Sequence, residues 1–134
     1  MKTTFSLLVL VACCGVICLM TSCLGETTVK AELVSPTGEY VAELSEGDTG
    51  AVGGWMSAVR VSETDPSLWT RLVGREGNTV FGVDLRSSYV TFAWITKNNL
   101  RITCSKCDAS RIRLQKSTWR SVMISYEVEP QVAK

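Results

Sequence analysis

Two cysteines three residues apart, in Cys104-Ser105-Lys106-Cys107, form the most compact reactive grouping in this 134-residue chain. Thiols at that spacing support three chemistries: a structural disulfide bracing a turn, a dithiol redox centre, or half of a tetrahedral metal site. A redox centre takes its lowered thiol pKa from a helix N-terminus. Here the motif ends an alternating strand and runs into Asp108-Ala109-Ser110, with no amphipathic helix behind it. A metal would need two further ligands, and the chain contains no histidine. The disulfide is the leading expectation, worth roughly 2 kcal/mol for so short a ring by loop-entropy arithmetic. A thiol-disulfide redox role for Cys104 and Cys107 is the alternative. Without histidine, Ser-His-Asp and Cys-His catalysis are also excluded, so a mechanism would rest on carboxylates, a lysine or a thiol. No catalytic residue is assigned, and no metal or cofactor is expected.

The carboxylates Glu43, Glu46 and Asp48 stand in or beside a glycine-rich stretch, Ser45 to Gly54, read as a mobile connection between strands. That stretch lacks the Lys-Ser/Thr ending of a phosphate loop and the carboxylate spacing of a calcium loop. Acid-base work on a glycan needs two rigidly held carboxylates, which a solvated loop does not supply. Of the four tryptophans, Trp94 lies mid-strand and reads as core. Trp55 and Trp119 flank polar or glycine residues and are candidates to line a sugar or peptide groove, with Arg111 and Arg113 as accompanying cations.

Charge is unevenly spread along the chain. Cys23 to Pro66 carries eight acids against two bases, whereas Ser67 to Lys134 carries eleven bases against five acids. One reading is a basic face for lipopolysaccharide, cell-wall polymer or an acidic partner, centred on Arg101, Lys106, Arg111, Arg113, Lys116 and Arg120. The simpler and preferred one is cross-sheet pairing of acidic and basic strands. A net charge of +1 gives no footing for general nucleic-acid binding.

The elements that must position these groups are almost all strands. Val29, Ala31 and Leu33 alternate with polar residues, Ser35-Pro36-Thr37-Gly38 is a turn, and Tyr40 to Leu44 returns. Met56 to Val61 alternates, Asp65-Pro66-Ser67 turns, and Trp69 to Val73 and Thr79 to Val83 flank a turn at Gly74 to Asn78. The clearest hairpin joins Val90, Phe92, Trp94 and Thr96 to Leu100, Ile102 and Cys104 through Lys97-Asn98-Asn99. Ile112 to Leu114 follows, and then Val122 to Val128 with Val122, Ile124, Tyr126 and Val128 on one face. The expectation is an all-β fold, a small antiparallel sandwich or compact barrel of seven or eight short strands.

Ahead of these strands, Lys2 precedes an uncharged run from Thr3 to Cys23, the length of a secretory leader. Its end, Met20-Thr21-Ser22-Cys23, resembles the bacterial lipobox. That resemblance implies cleavage before Cys23, a diacylglycerol on its thiol and an acyl chain such as palmitate on the new amino terminus. Several chains on one residue make a stable anchor where one is marginal. Plain secretion or an uncleaved anchor competes, but no Ala-x-Ala-like site stands near Cys23, and Thr21 and Ser22 end the apolar run. The resulting organisation is a leader over 1–22, a tether over 23–28, one β domain over 29–130 and a tail over 131–134.

Ser35 to Ala42 and the pair Trp94 and Asn99-x-Arg101 resemble the opening and closing hairpins of β-propeller blades, although 112 residues after the leader cannot close a propeller. Ser35 to Tyr40, Asp48-Thr49-Gly50-Ala51-Val52, Val59 to Val61 and Trp94 with Asn98, Leu100 and Ile102 together resemble a family of small bacterial envelope lipoproteins. The family has Lys where Glu39 stands and Thr where Val52 stands. This resemblance implies a β domain and an envelope address, and it implies no activity. Leu24 after the cysteine differs from the Asp of enteric inner-membrane retention, which favours an outer membrane. The expected function is thus a membrane-anchored, non-catalytic binding or structural module contacting an envelope protein or polymer.

Overall fold

The computed structural model describes residues 27–50, 53–64 and 79–130. Nine strands fill them: β1 (Thr27–Val34), β2 (Tyr40–Asp48), β3 (Trp55–Glu63), β4 (Thr79–Val83), β5 (Val90–Thr96), β6 (Asn99–Ser105), β7 (Ile112–Gln115), β8 (Thr118–Trp119) and β9 (Val122–Glu129). They form a five-stranded sheet in the order β1-β2-β3-β4-β7 and a four-stranded sheet in the order β5-β6-β9-β8. The two pack as an all-β sandwich. Among the described residues no helix is long and apolar enough to cross a membrane. The leader, Cys23, the expected strand Trp69 to Val73 with its turns at Asp65 to Ser67 and Gly74 to Asn78, and the tail lie outside the described residues.

Strand alternation builds the interior. Ala42 and Leu44 pair with Val61 and Val59, and Val59 pairs with Phe81, so one row of side chains crosses β2, β3 and β4. Across the interface Val90, Leu100, Ile102, Cys104, Val122 and Ile124 complete a buried cluster. Each fully buried aliphatic or aromatic side chain contributes about 1.5–3 kcal/mol. Polar ties also cross between the sheets: the Tyr126 hydroxyl on β9 donates to the carbonyls of Lys116 (2.6 Å) and Val80 (3.1 Å). Its ring meets Phe81 at 5.6 Å, and burial pushes its pKa up to about 12.

Several expectations are corrected. The strand read as ending at Leu44 runs on to Asp48, because pairing with β3 continues unbroken to Asp48 opposite Trp55. Ser45 and Glu46 are therefore buried strand residues and not loop. In the remaining connection Thr49 N–H and hydroxyl both donate to Gly54 O, and Asp48 Oδ1 accepts from Gly50 N–H, so these residues are tied down. Thr27 and Thr28, expected in the tether, belong to β1. Val29 lies opposite Ser45 and Ala31 opposite Leu44, so a bulge at Lys30 puts Val29 and Leu33 on different faces. Asn99 is strand and not turn, pairing with Thr96. β6 and β9 run parallel, the one such pair among the described strands. Val128, placed with the inward row of β9, is 38% exposed near the end of that strand.

Candidate functional site

At one end of the sandwich the first residue of β3, the end of β4, the turn before β5, the turn after β6 and the entry to β7 converge. They enclose a cleft of about 510 Å³ lined by Gly53, Gly54, Trp55, Asp84, Leu85, Arg86, Tyr89, Lys106 and Arg111. A site of that size falls within the range of small-ligand clefts, about 300–1,000 Å³.

Each wall of the cleft has a local cause. Cys104 and Cys107 are joined by a disulfide with Cα atoms 5.7 Å apart, and both residues are 1% exposed. The four-residue ring holds Lys106 at φ 58°, a left-handed conformation rare outside glycine. Lys106 Nζ then sits 5.3 Å from the centre of the Tyr89 ring, and the Ser105 hydroxyl donates to Tyr89 O at 3.3 Å.

The short 3-10 turn that carries Tyr89, Ser87–Tyr89, is in turn clamped by Glu46. Oε2 of Glu46 accepts from Ser87 N–H at 2.6 Å and from the Ser87 hydroxyl at 2.7 Å. Those two bonds, the backbone one foremost, hold the Glu46 carboxyl below the usual carboxylate range despite its burial, with Lys30 Nζ at 3.6 Å adding to the effect. The clamp fixes the adjacent Arg86, whose guanidinium lies 4.6 Å from the centre of the Trp55 ring. Ser57 reinforces the same wall by donating from its hydroxyl to Leu85 O at 2.7 Å. The carboxylate of the cleft, Asp84, is engaged by Arg113 through Nε at 2.6 Å and Nη2 at 2.5 Å. That pairing raises the Arg113 pKa further.

The structure thus brings together Trp55 and Arg111 of the expected contact residues and separates the other two. Arg113 is spent on Asp84, and Trp119 lies at the far end of the sandwich. There Trp119 meets Tyr40 edge-on at 6.0 Å, Tyr40 stacks on Trp94 at 6.4 Å, and the Tyr40 hydroxyl bonds Ser121 Oγ at 2.6 Å. Trp94, read as core, is half-buried in this cluster and donates from Nε1 to Leu33 O at 3.1 Å. Arg120 covers Trp119 and pairs with Glu63.

The expected basic residues are divided between the two ends: Lys106 and Arg111 line the cleft, and Arg120 lies at the aromatic cluster. Glu43 and Glu46 point to opposite faces of β2, so they do not make a carboxylate pair. Among the described residues no three Cys, Asp or Glu side chains converge as a metal site. Arg86 and Tyr89 carry no signal in the sequence, since pairing of β4 with β3 brings Arg86 to Trp55 and pairing of β5 with β6 brings Tyr89 to Lys106. No family model matches the chain, and no curated protein and no solved structure matches it either.

Proposed function

We propose that this protein is a non-catalytic binding module of the bacterial envelope. It is held at a membrane by lipid on Cys23 and meets an envelope protein or polymer at the Trp55 to Arg111 cleft. The observation that carries the reading is the chemistry of the cleft. Two of its three cations rest on aromatic rings and its one carboxylate is occupied by Arg113, so it offers contact surface and charge without an available acid-base pair. The address is supported by Met20-Thr21-Ser22-Cys23 and the uncharged run before it. The thiol-disulfide alternative needs an attacking thiolate to reach a sulfur. Both cysteines are 1% exposed, which favours a bond that braces the Lys106 turn.

Intact mass of the full chain extracted from membranes, with alkylation before and after reduction, tests the reading. The expected species begins at Cys23, carries added lipid, and alkylates at Cys104 and Cys107 only after strong reduction. An unlipidated chain sinks the address. A pair that alkylates under mild reduction moves the redox role to first place.

A further inference from the structure

Three cations line the cleft, and none of them pairs with a carboxylate among the described residues. Arg86 lies on Trp55 and Lys106 on Tyr89, while the available acid, Asp84, belongs to Arg113. Like charges gathered in one concavity repel each other and focus a positive potential, an arrangement that an anion relieves. Aromatic faces orient a cation without cancelling its charge, so Arg86 and Lys106 stand pre-positioned and unneutralised. Their supports are rigid: a disulfide ring under Lys106 and the Glu46 clamp beside Arg86.

Beside the charges stands an apolar platform. Trp55 is 38% exposed. It is preceded by Gly53 and Gly54, which place no side chain of their own beside the indole. A ligand that fits carries several negative charges on a body whose C–H face can rest on a ring.

We infer that the cleft binds an anionic saccharide with at least two negative charges. Its carboxylate or phosphate oxygens meet Arg86, Lys106 and Arg111, and a sugar face lies against Trp55. This deepens the binding-module reading and rests on it.

The test is calorimetric titration of the detergent-extracted full chain with trigalacturonate, glucose phosphate, neutral maltotriose and vesicles of phosphatidylglycerol. Binding of either anionic sugar that weakens with added salt, with maltotriose inert, supports the assignment. Trigalacturonate alone names the carboxylate source and glucose phosphate alone the phosphate source. Lys106→Gln and Arg111→Gln should each weaken that binding about tenfold, the loss of one charge-assisted contact. Arg101→Gln, an exposed cation on β6 outside the cleft, should leave it unchanged. Near-UV circular dichroism checks that the variants are folded.

Maltotriose binding as well as trigalacturonate, sugar binding indifferent to Arg111→Gln, vesicle binding without sugar binding, or no binding to any probe each overturns the inference. The module reading fails separately, on an unlipidated mass or readily reduced thiols.

Discussion

The two ends of the sandwich use the same residue types to opposite purposes. Each has a turn whose tip is a cation in the left-handed region, Lys106 at φ 58° and Arg120 at φ 52°, and each lays that cation on an aromatic ring. At the far end the rings pack on one another and Glu63 neutralises Arg120. At the cleft end the rings stand apart and the cations keep their charge. Cation-aromatic contacts alone therefore do not mark a site in this fold. The presence of a carboxylate on the cation separates a closed corner from an open one.

The largest expected effect comes from breaking the closed end. Tyr40→Ala removes the stack on Trp94, the edge contact with Trp119 and the hydroxyl bond to Ser121. It should cost about 3 kcal/mol in denaturant unfolding while leaving saccharide binding intact. A loss of binding equal to the loss of stability would show that the two ends are not independent.

At the cleft end, Cys104→Ala with Cys107→Ala opens the ring beneath Lys106. It should cost roughly 2 kcal/mol and also weaken binding of the anionic probe, because the left-handed turn loses its constraint. Stability lost with full binding retained would assign the disulfide to the core alone.

The smallest effect sharpens the comparison by pH. Glu46→Gln keeps the shape of the clamp and removes its charge, at about 1 kcal/mol. The folded Glu46 pKa lies below its unfolded value, so its stabilisation is complete above the unfolded value. It is lost as pH falls through the lowered folded one. Acid titrations of unfolding should therefore show a shallower loss for the variant than for the parent chain. Parallel curves would mean that Glu46 contributes no linkage.

What could be read from the chain divides along local and distant causes. The Val90 to Cys104 hairpin and the Ser35 to Gly38 turn were legible because period-two alternation and turn residues act within a few positions. Gly38 duly sits at φ 75° and its N–H donates to Ser35 O. The bulges were not legible, since an extra residue such as Val80 between Thr79 and Phe81 is defined by the partner strand. Glu46 looked like a loop acid because Ser87, which buries it usefully, lies 41 residues away. Trp55 and Arg111 were visible as an aromatic and a cation, but their meeting depends on strand order. The parallel β6 and β9 pairing left no trace in either strand's own pattern, which is the same alternation that an antiparallel neighbour requires.

The bulge at Lys30 has a consequence for solubility. β1 ends its sheet, all eight of its residues are exposed, and Val29, Leu33 and Val34 are apolar. Such an edge is a template on which another chain can add a strand and begin to aggregate. The bulge breaks the regular run of outward amides and carbonyls midway along the strand. By interrupting this edge, the bulge denies an incoming strand a continuous ladder on β1.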